Sequence, residues 1–362
     1  MDRWRGLLPV VAAMMALVVV SAGTVVAGQA PAVAPAGGGR RLAPDAARSI
    51  AQVRGNLYRA HNQGWTTVFY VTPAGIVLGD PISEPFARWL RDELAQRFPG
   101  QPVRYVVYSH SHWDHAEGGA VFADTAQLVA HENMLREMDG RVPQMPGDML
   151  DRNQNGVFEA NEIRPARCGT PDGDHLDRNG DGIVTLAEYW ADVRKPDVTY
   201  SQRMTLVLGG LTVELLYPGQ NHSVDATVMY FPAERAVFAT EFIVDAGTTG
   251  FRSWPAACGA APGFDGTPLA EWIRSIRAVE ALDFDLLVPG HQRIQLTKAD
   301  VAELRVFLED LVSTVSAGLS QGRSLDELKR SLTFDKYRGW TGYDQRRVLN
   351  IEAAYNNLRT YR

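Results

Sequence analysis

The six residues His110-Ser111-His112-Trp113-Asp114-His115 follow directly on the apolar run 103–108 (VRYVVY), and nothing else in the 362-residue chain narrows its fold so far. Surface loops seldom carry three imidazoles and a carboxylate so close together. At a strand end the chain turns, so His110 and His112 point to one side while Asp114 and His115 reach a second point nearby. Nitrogen and oxygen donors at these spacings suit zinc, or iron where histidines are fewer.

The surrounding pattern supplies the strand and its layers. Runs 66–70 and 75–78 are β-rich and joined through Thr72-Pro73-Ala74-Gly75, a hairpin leading into Gly79-Asp80. Helical spacing is predicted over 84–98, 116–123 and 132–138, with a strand at 128–130; strands alternating with helices indicate an α/β layered domain. Strand patterns return from Met204 as hairpins, followed by a helix over 269–281, a strand over 286–288 and Pro289-Gly290-His291 at its end. The last stretch, 299–362, reads as a helical extension packed on the main domain. Val301, Leu304, Leu308, Leu311 and Val315 stripe one helix, Ser324-x-x-Glu327 is a capping box, and Val348, Ile351, Tyr355 and Leu358 stripe the last.

Residues 1–30 place Arg3 and Arg5 before a long apolar run and small residues, the order of a secretory signal peptide or an uncleaved membrane anchor. Residues 31–41 read as a flexible linker, so export to the periplasm or the exterior is expected. In that oxidising setting Cys168 and Cys258 either pair as a disulfide or stand as two loop thiols. Lys plus Arg total 36 against 42 Asp plus Glu, which argues against nucleic acid and for a small-molecule substrate. The sequence leaves the oligomeric state open.

Between 139 and 196 the pattern breaks into Asp, Asn, Gly and Pro, an insertion within the domain spanning 42–298. Two segments there fit the EF-hand-type calcium loop at every position. The first would bind Ca²⁺ through Asp151, Asn153, Asn155, the Val157 carbonyl and Glu162; the second through Asp177, Asn179, Asp181, the Ile183 carbonyl and Glu188. Phe158 and Val184, both at position eight, are expected to pair as a short β-bridge. The 14 residues between the loops are too broken by Pro and Gly for full flanking helices, so structural calcium, two ions, is expected rather than a sensor.

The motif His110-x-His112-x-Asp114-His115 resembles the HxHxDH signature of the metallo-β-lactamase superfamily, and Gly79-Asp80, Pro218-Gly219-Gln220-Asn221-His222 and Pro289-Gly290-His291 follow in that family's order. The resemblance implies an αββα sandwich, carrying here the EF-hand-like insertion. It implies that His110, His112 and His222 hold one zinc, that Asp114, His115 and His291 hold a second, and that Asp80 supports a ligand from behind. A bridging Asp is usual in many family hydrolases; here Glu241 stands in its place, with Asp245 as the fallback. His61, His131 and His175 are expected to be structural or exposed.

Two such ions activate a bridging water and polarise a carbonyl or phosphoryl oxygen. Asp114 is then the catalytic group that orients the hydroxide and moves a proton. The resemblance implies an ester, lactone, thioester, lactam or phosphoester substrate. Two alternatives remain: a mononuclear iron dioxygenase acting on a sulfur compound, and a non-catalytic calcium-binding envelope protein. Residues 245–265, with Phe251, Arg252, Trp254 and Phe264, read either as a substrate-facing loop, in which Arg252 could meet an anion, or as an ordinary loop over the core.

Overall fold

In a computed structural model, the structure describes residues 48–140, 151, 153–159, 161–162, 174–243, 264–291 and 295–361. The leader and linker expected over 1–41, both cysteines, Asp245, Phe251, Arg252 and Trp254 lie outside the described residues. Among the described residues no helix is long and apolar enough to cross a membrane.

The first sheet opens with three antiparallel strands, β1 (Arg48–Arg54), β2 (Leu57–Asn62) and β3 (Trp65–Thr72), followed by β4 (Gly75–Leu78). Helix α1 (Glu84–Arg97) crosses over to β5 (Val103–Val107), which lies parallel to β4. The short helix α2 (Trp113–Ala116) and a 3₁₀ turn at Gly119–Phe122 lead to β6 (Gln127–His131) and α3 (Asn133–Gly140). The insertion contributes β7 (Phe158–Glu159), β8 (Ile183–Val184) and α4 (Leu186–Tyr189), and β9 (Val198–Tyr200) closes the sheet beside β6. A continuous helix over 116–123 does not form. Gly118 sits at φ 84°, and a Cβ there would lie 2.7 Å from the Ser83 backbone, so the chain breaks helical geometry to pack against α1.

The second sheet runs β10 (Arg203–Leu208), β11 (Leu211–Leu216), β12 (Val228–Phe231) and β13 (Ala236–Ala239), all antiparallel. After α5 (Leu269–Glu280), β14 (Leu286–Pro289) joins parallel to β13, and β15 (Leu296–Thr297) forms the edge. Helices α6 (Lys298–Ser320), α7 (Leu325–Ser331) and α8 (Tyr343–Thr360) complete the chain.

Alternation within strands assigns the layers. Val68 and Tyr70 face the second sheet, joining Phe231 and Phe238 in a core between the sheets. Phe69 points the other way, into the core under α1 and α3. On the outer face of the second sheet, α5, α6 and α8 share one core with it. The order helix, sheet, sheet, helix is the αββα sandwich, and the C-terminal helices are part of its outer layer. The apolar stripe of α6 is buried throughout. That of α8 is not: its buried face is Asn350, Ile351, Ala353, Ala354 and Asn357, while Val348, Tyr355 and Leu358 are only half-buried. Small residues allow close approach to α5, and the Asn357 carboxamide accepts from Leu269 N (3.0 Å) and donates to the Thr267 carbonyl (2.8 Å).

Phe264 is a core residue, fully buried with its ring 5.1 Å from that of Trp272, which removes it from any substrate-facing role.

Candidate metal centre

Strands β4 and β5 are parallel, so Asp80 and Ser109 emerge side by side at their C-terminal ends, the end where open α/β sheets carry their sites. Asp80 is fully buried and accepts from Ser109 N and Oγ, both at 2.7 Å, and from His115 Nδ1 at 2.9 Å. This carboxylate fixes the tautomer of His115 and turns its Nε2 into the cleft. The tight turn of α2, in which His112 O accepts from His115 N and Ala116 N at 3.0 Å, brings Asp114 and His115 back towards His110 and His112.

The second sheet supplies the rest. His222 lies in the β11–β12 loop, held by Thr267 Oγ1 donating to Asn221 O at 2.6 Å. Glu241 and His291 follow the parallel strands β13 and β14. His222 Nε2 comes within 3.0 Å of His112 Nδ1, and His115 Nε2 lies 3.0 Å from Glu241 Oε1 and 3.2 Å from His291 Nε2. Glu241 Oε1 is also 2.5 Å from His291 Nε2, while its Oε2 is 4.0 Å from His222 Nε2, so the carboxylate stands between the two histidine groups. Reaching there puts Glu241 at φ 57°, a left-handed conformation uncommon for non-glycine residues. Gly290 is required for the same approach: a Cβ would meet Thr240 Cγ2 at 2.5 Å and His115 Cε1 at 3.2 Å.

Three triads place their ligand atoms within 4.8 Å of one another: His110, His112 and His222; His110, His115 and Glu241; Asp114, His115 and His291. An ion with bonds of about 2.0–2.1 Å gathers tetrahedral donors about 3.3 Å apart, close to the separations seen. The buried His110 Nε2 has no hydrogen-bond partner among the described residues, as expected of an atom that faces a cation. The donor set therefore fits divalent metal.

The electrostatics agree. Burial, then the neighbouring imidazoles, holds His110 well below the ordinary histidine value, leaving it neutral; burial lowers His222 likewise. Burial opposes charge on Glu241, but His291, His115 and His222 outweigh it and keep its carboxyl well below the usual range. His115 and His291 are raised despite burial, by Asp114, Asp80 and Glu241 for the first and chiefly by Glu241 for the second. Cation binding there must displace the protons that these carboxylates favour, so affinity weakens as pH is lowered.

Some residues that hold the site carry no sequence signal. Trp65 donates its indole N–H to Asp114 Oδ2 at 3.0 Å, and Tyr189 OH accepts from Trp113 N at 3.2 Å. The remaining histidines sit elsewhere: His61 is buried against Thr66 Oγ1 at 2.7 Å, and His131 contacts the Ser201 carbonyl at 2.7 Å and stacks on Tyr217. His175 lies 3.0 Å from Glu117, on the back of the metal loop.

The expected bridge between the insertion loops forms, pairing Phe158 with Val184 and Glu159 with Ile183. In the first loop Asp151 accepts from Asn155 N and Gly156 N (3.1 and 2.9 Å), and Glu162 turns inward to accept from Asn153 N and Glu159 N (3.3 and 3.2 Å). In the second, Asp177 accepts from Gly180 N and Gly182 N (2.8 and 2.9 Å), and Asn179 and Asp181 from amides two residues on (2.8 and 2.9 Å). Glu188 closes a capping box with Thr185. These acids form none of the converging triads. The insertion packs on the metal loop: Trp113, between His112 and Asp114, is buried with Phe158, Leu176, Val184 and Tyr189.

A family model described as the metallo-beta-lactamase superfamily matches residues 67–291, from β3 to the last histidine of the cleft. The chain belongs to the metallo-beta-lactamase superfamily. It is 26% identical over 241 residues, 66% of its length and 56% of the relative's, to the 2,4-dinitroanisole O-demethylase subunit alpha of Nocardioides sp. (strain JS1661). It is 24% identical over 200 residues to a linear primary-alkylsulfatase of Pseudomonas sp, covering 53% of this chain and 29% of that one. The chain thus spans little more than half of the first relative and under a third of the second. The structure of a stereoselective inverting sec-alkylsulfatase from Pseudomonas sp. matches at a TM-score of 0.57 and 15% identity, over 87% of this chain and 50% of that one, which shows a common fold.

Proposed function

We propose that the chain is an exported, zinc-dependent hydrolase with two metal sites, and that calcium stabilises its insertion. The observation that carries the reading is the convergence of two histidine-containing triads on one cleft with Glu241 between them. Two divalent ions held by His110, His112 and His222 and by Asp114, His115 and His291 would yield a nucleophile from water near neutral pH and polarise the substrate oxygen. Asp114 Oδ1, buried and without a partner among the described residues, accepts a proton from the attacking water and delivers it to the leaving group. Asp80 keeps His115 in one tautomer throughout.

The names of the relatives widen the substrate set from lactams, lactones, esters, thioesters and phosphoesters to sulfate esters and aryl methyl ethers. Calcium is supported by the two complete loop motifs and their β-bridge, which seats both loops back to back as paired EF-hand-type sites require.

The test is metal content per chain by elemental mass spectrometry, on exported wild type and on the His110→Ala/His112→Ala variant. About two zinc ions in the wild type, depleted in the variant with calcium unchanged, support the reading. Turnover of the substrate classes named would then fix the reaction. One iron per chain redirects the search to sulfur oxidation, and calcium alone refutes the enzyme.

A further inference from the structure

Trp65 touches two of the three residues in the triad Asp114, His115 and His291, by two different means. Its backbone forms an isolated antiparallel bridge with His291, reinforced by Thr66 N donating to Gly290 O at 2.7 Å. Its indole Nε1–H donates to Asp114 Oδ2 at 3.0 Å, and its ring lies 5.8 Å from that of His291. The side chain is buried at the start of β3, so this donor cannot be replaced by water without opening the sheet.

The contact matters because the plane of an aspartate is weakly fixed by its own chemistry: the terminal torsion is broad and two-fold. Asp114 Oδ2 is also the oxygen that faces the triad, 3.6 Å from His115 Nε2 and 3.8 Å from His291 Nε2. A carboxylate oxygen has two lone pairs, so one can accept the indole proton while the other points at a cation. Asp80 plays the corresponding part for His115. The triad His110, His112 and His222 includes neither residue that Trp65 contacts.

We propose that Trp65 is a positioning residue specific to the Asp114–His115–His291 site, whose indole N–H and backbone bridge set that site's metal affinity independently of the other. The inference rests on the two-site reading above.

The experiment titrates metal-free wild type, Trp65→Phe and His291→Ala with Co²⁺ and follows the visible spectrum, with His291→Ala marking which step belongs to this triad. Trp65→Phe keeps an aromatic ring and removes the donor. The expected result is a loss of about 10- to 100-fold in that step, the usual effect of removing an outer hydrogen-bond partner, with the other step within twofold. Equal weakening of both steps, or of neither, overturns the proposal. Phe69→Leu, in the same strand but facing the core under α1, controls for general loosening and is expected to move both steps alike.

Should Trp65→Phe fail to fold, wild type labelled with ¹⁵N-tryptophan decides the matter. The Trp65 indole resonance is expected to shift with the zinc equivalent that fills this triad, and an indole signal indifferent to it overturns the proposal. A chain that binds no transition metal fails the two-site reading, whereas two ions with equal responses to Trp65→Phe fail this inference alone.

Discussion

Replacing Trp113 by Ala tests whether the insertion is held by the metal loop or holds itself. Trp113 is 9% exposed, and its ring fills a small core with Phe158, Leu176, Val184 and Tyr189. A buried Trp removes roughly 200 Å² from water, worth about 5 kcal/mol at 25 cal/mol per Å² as an upper bound, and large-to-Ala changes in cores cost about 3–5 kcal/mol. Four remaining side chains over a two-stranded ribbon are too few to stand alone. The loss should therefore fall on the insertion, and hydrogen exchange at the amides of β7 and β8 should speed up by about 100- to 4,000-fold. Trp113→Phe should cost under about 1.5 kcal/mol, because it keeps most of the apolar volume and removes an indole N–H with no acceptor among the described residues. Unchanged protection of β7 and β8 in Trp113→Ala would show that the insertion is an independent unit and refute this reasoning.

Glu241→Asp shortens the side chain by about 1.5 Å, the length of one carbon–carbon bond, and should lose one metal ion per chain by elemental analysis. Asp tolerates the left-handed backbone at least as well as Glu, so full metal content would show that Glu241 does not bridge. Gly290→Ala drives a Cβ onto Thr240 and His115 and should lower metal affinity with little change in far-ultraviolet circular dichroism; normal metal content would contradict the close fit. For His175, burial opposes its charge but Glu117 outweighs it and raises its value, so its stabilisation is complete below about pH 6.5 and fades as pH rises through the raised value. Urea unfolding across that window should show a decline of under about 1 kcal/mol, the side chain being 39% exposed, and His175→Gln should abolish it.

The metal loop was legible because its chemistry is local: four ligand-type side chains in six residues leave little else to mean. Glu241 came only from the family resemblance, as the residue in place of the usual bridging Asp, and its left-handed backbone has no sequence mark. Strands β1 and β2 escaped the pattern. Their sequences, RSIAQVR and LYRAHN, pair near the open edge of the first sheet, where β1 is half-exposed and apolar alternation is weak. The Gly55-Asn56 turn between them was the available signal. Trp65 was unreadable, since a strand-opening aromatic looks like any other core residue until the fold sets Asp114 beside it. In α8, the apolar stripe marked only the margin of the buried face: Ile351 is buried and Tyr355 and Leu358 pack beside the core, but Ala353, Ala354 and hydrogen-bonded Asn357 make up its centre.

The contact between His112 and His222, 110 positions apart in the chain, also ties off a loop, and the whole insertion lies inside it. Closure entropy grows only with the logarithm of loop length, so doubling such a loop costs about 0.6 kcal/mol. The insertion makes up roughly half of the enclosed segment, and in chain entropy its presence is nearly neutral. The site therefore marks a place where this fold can gain whole modules without loosening the clasp that defines it.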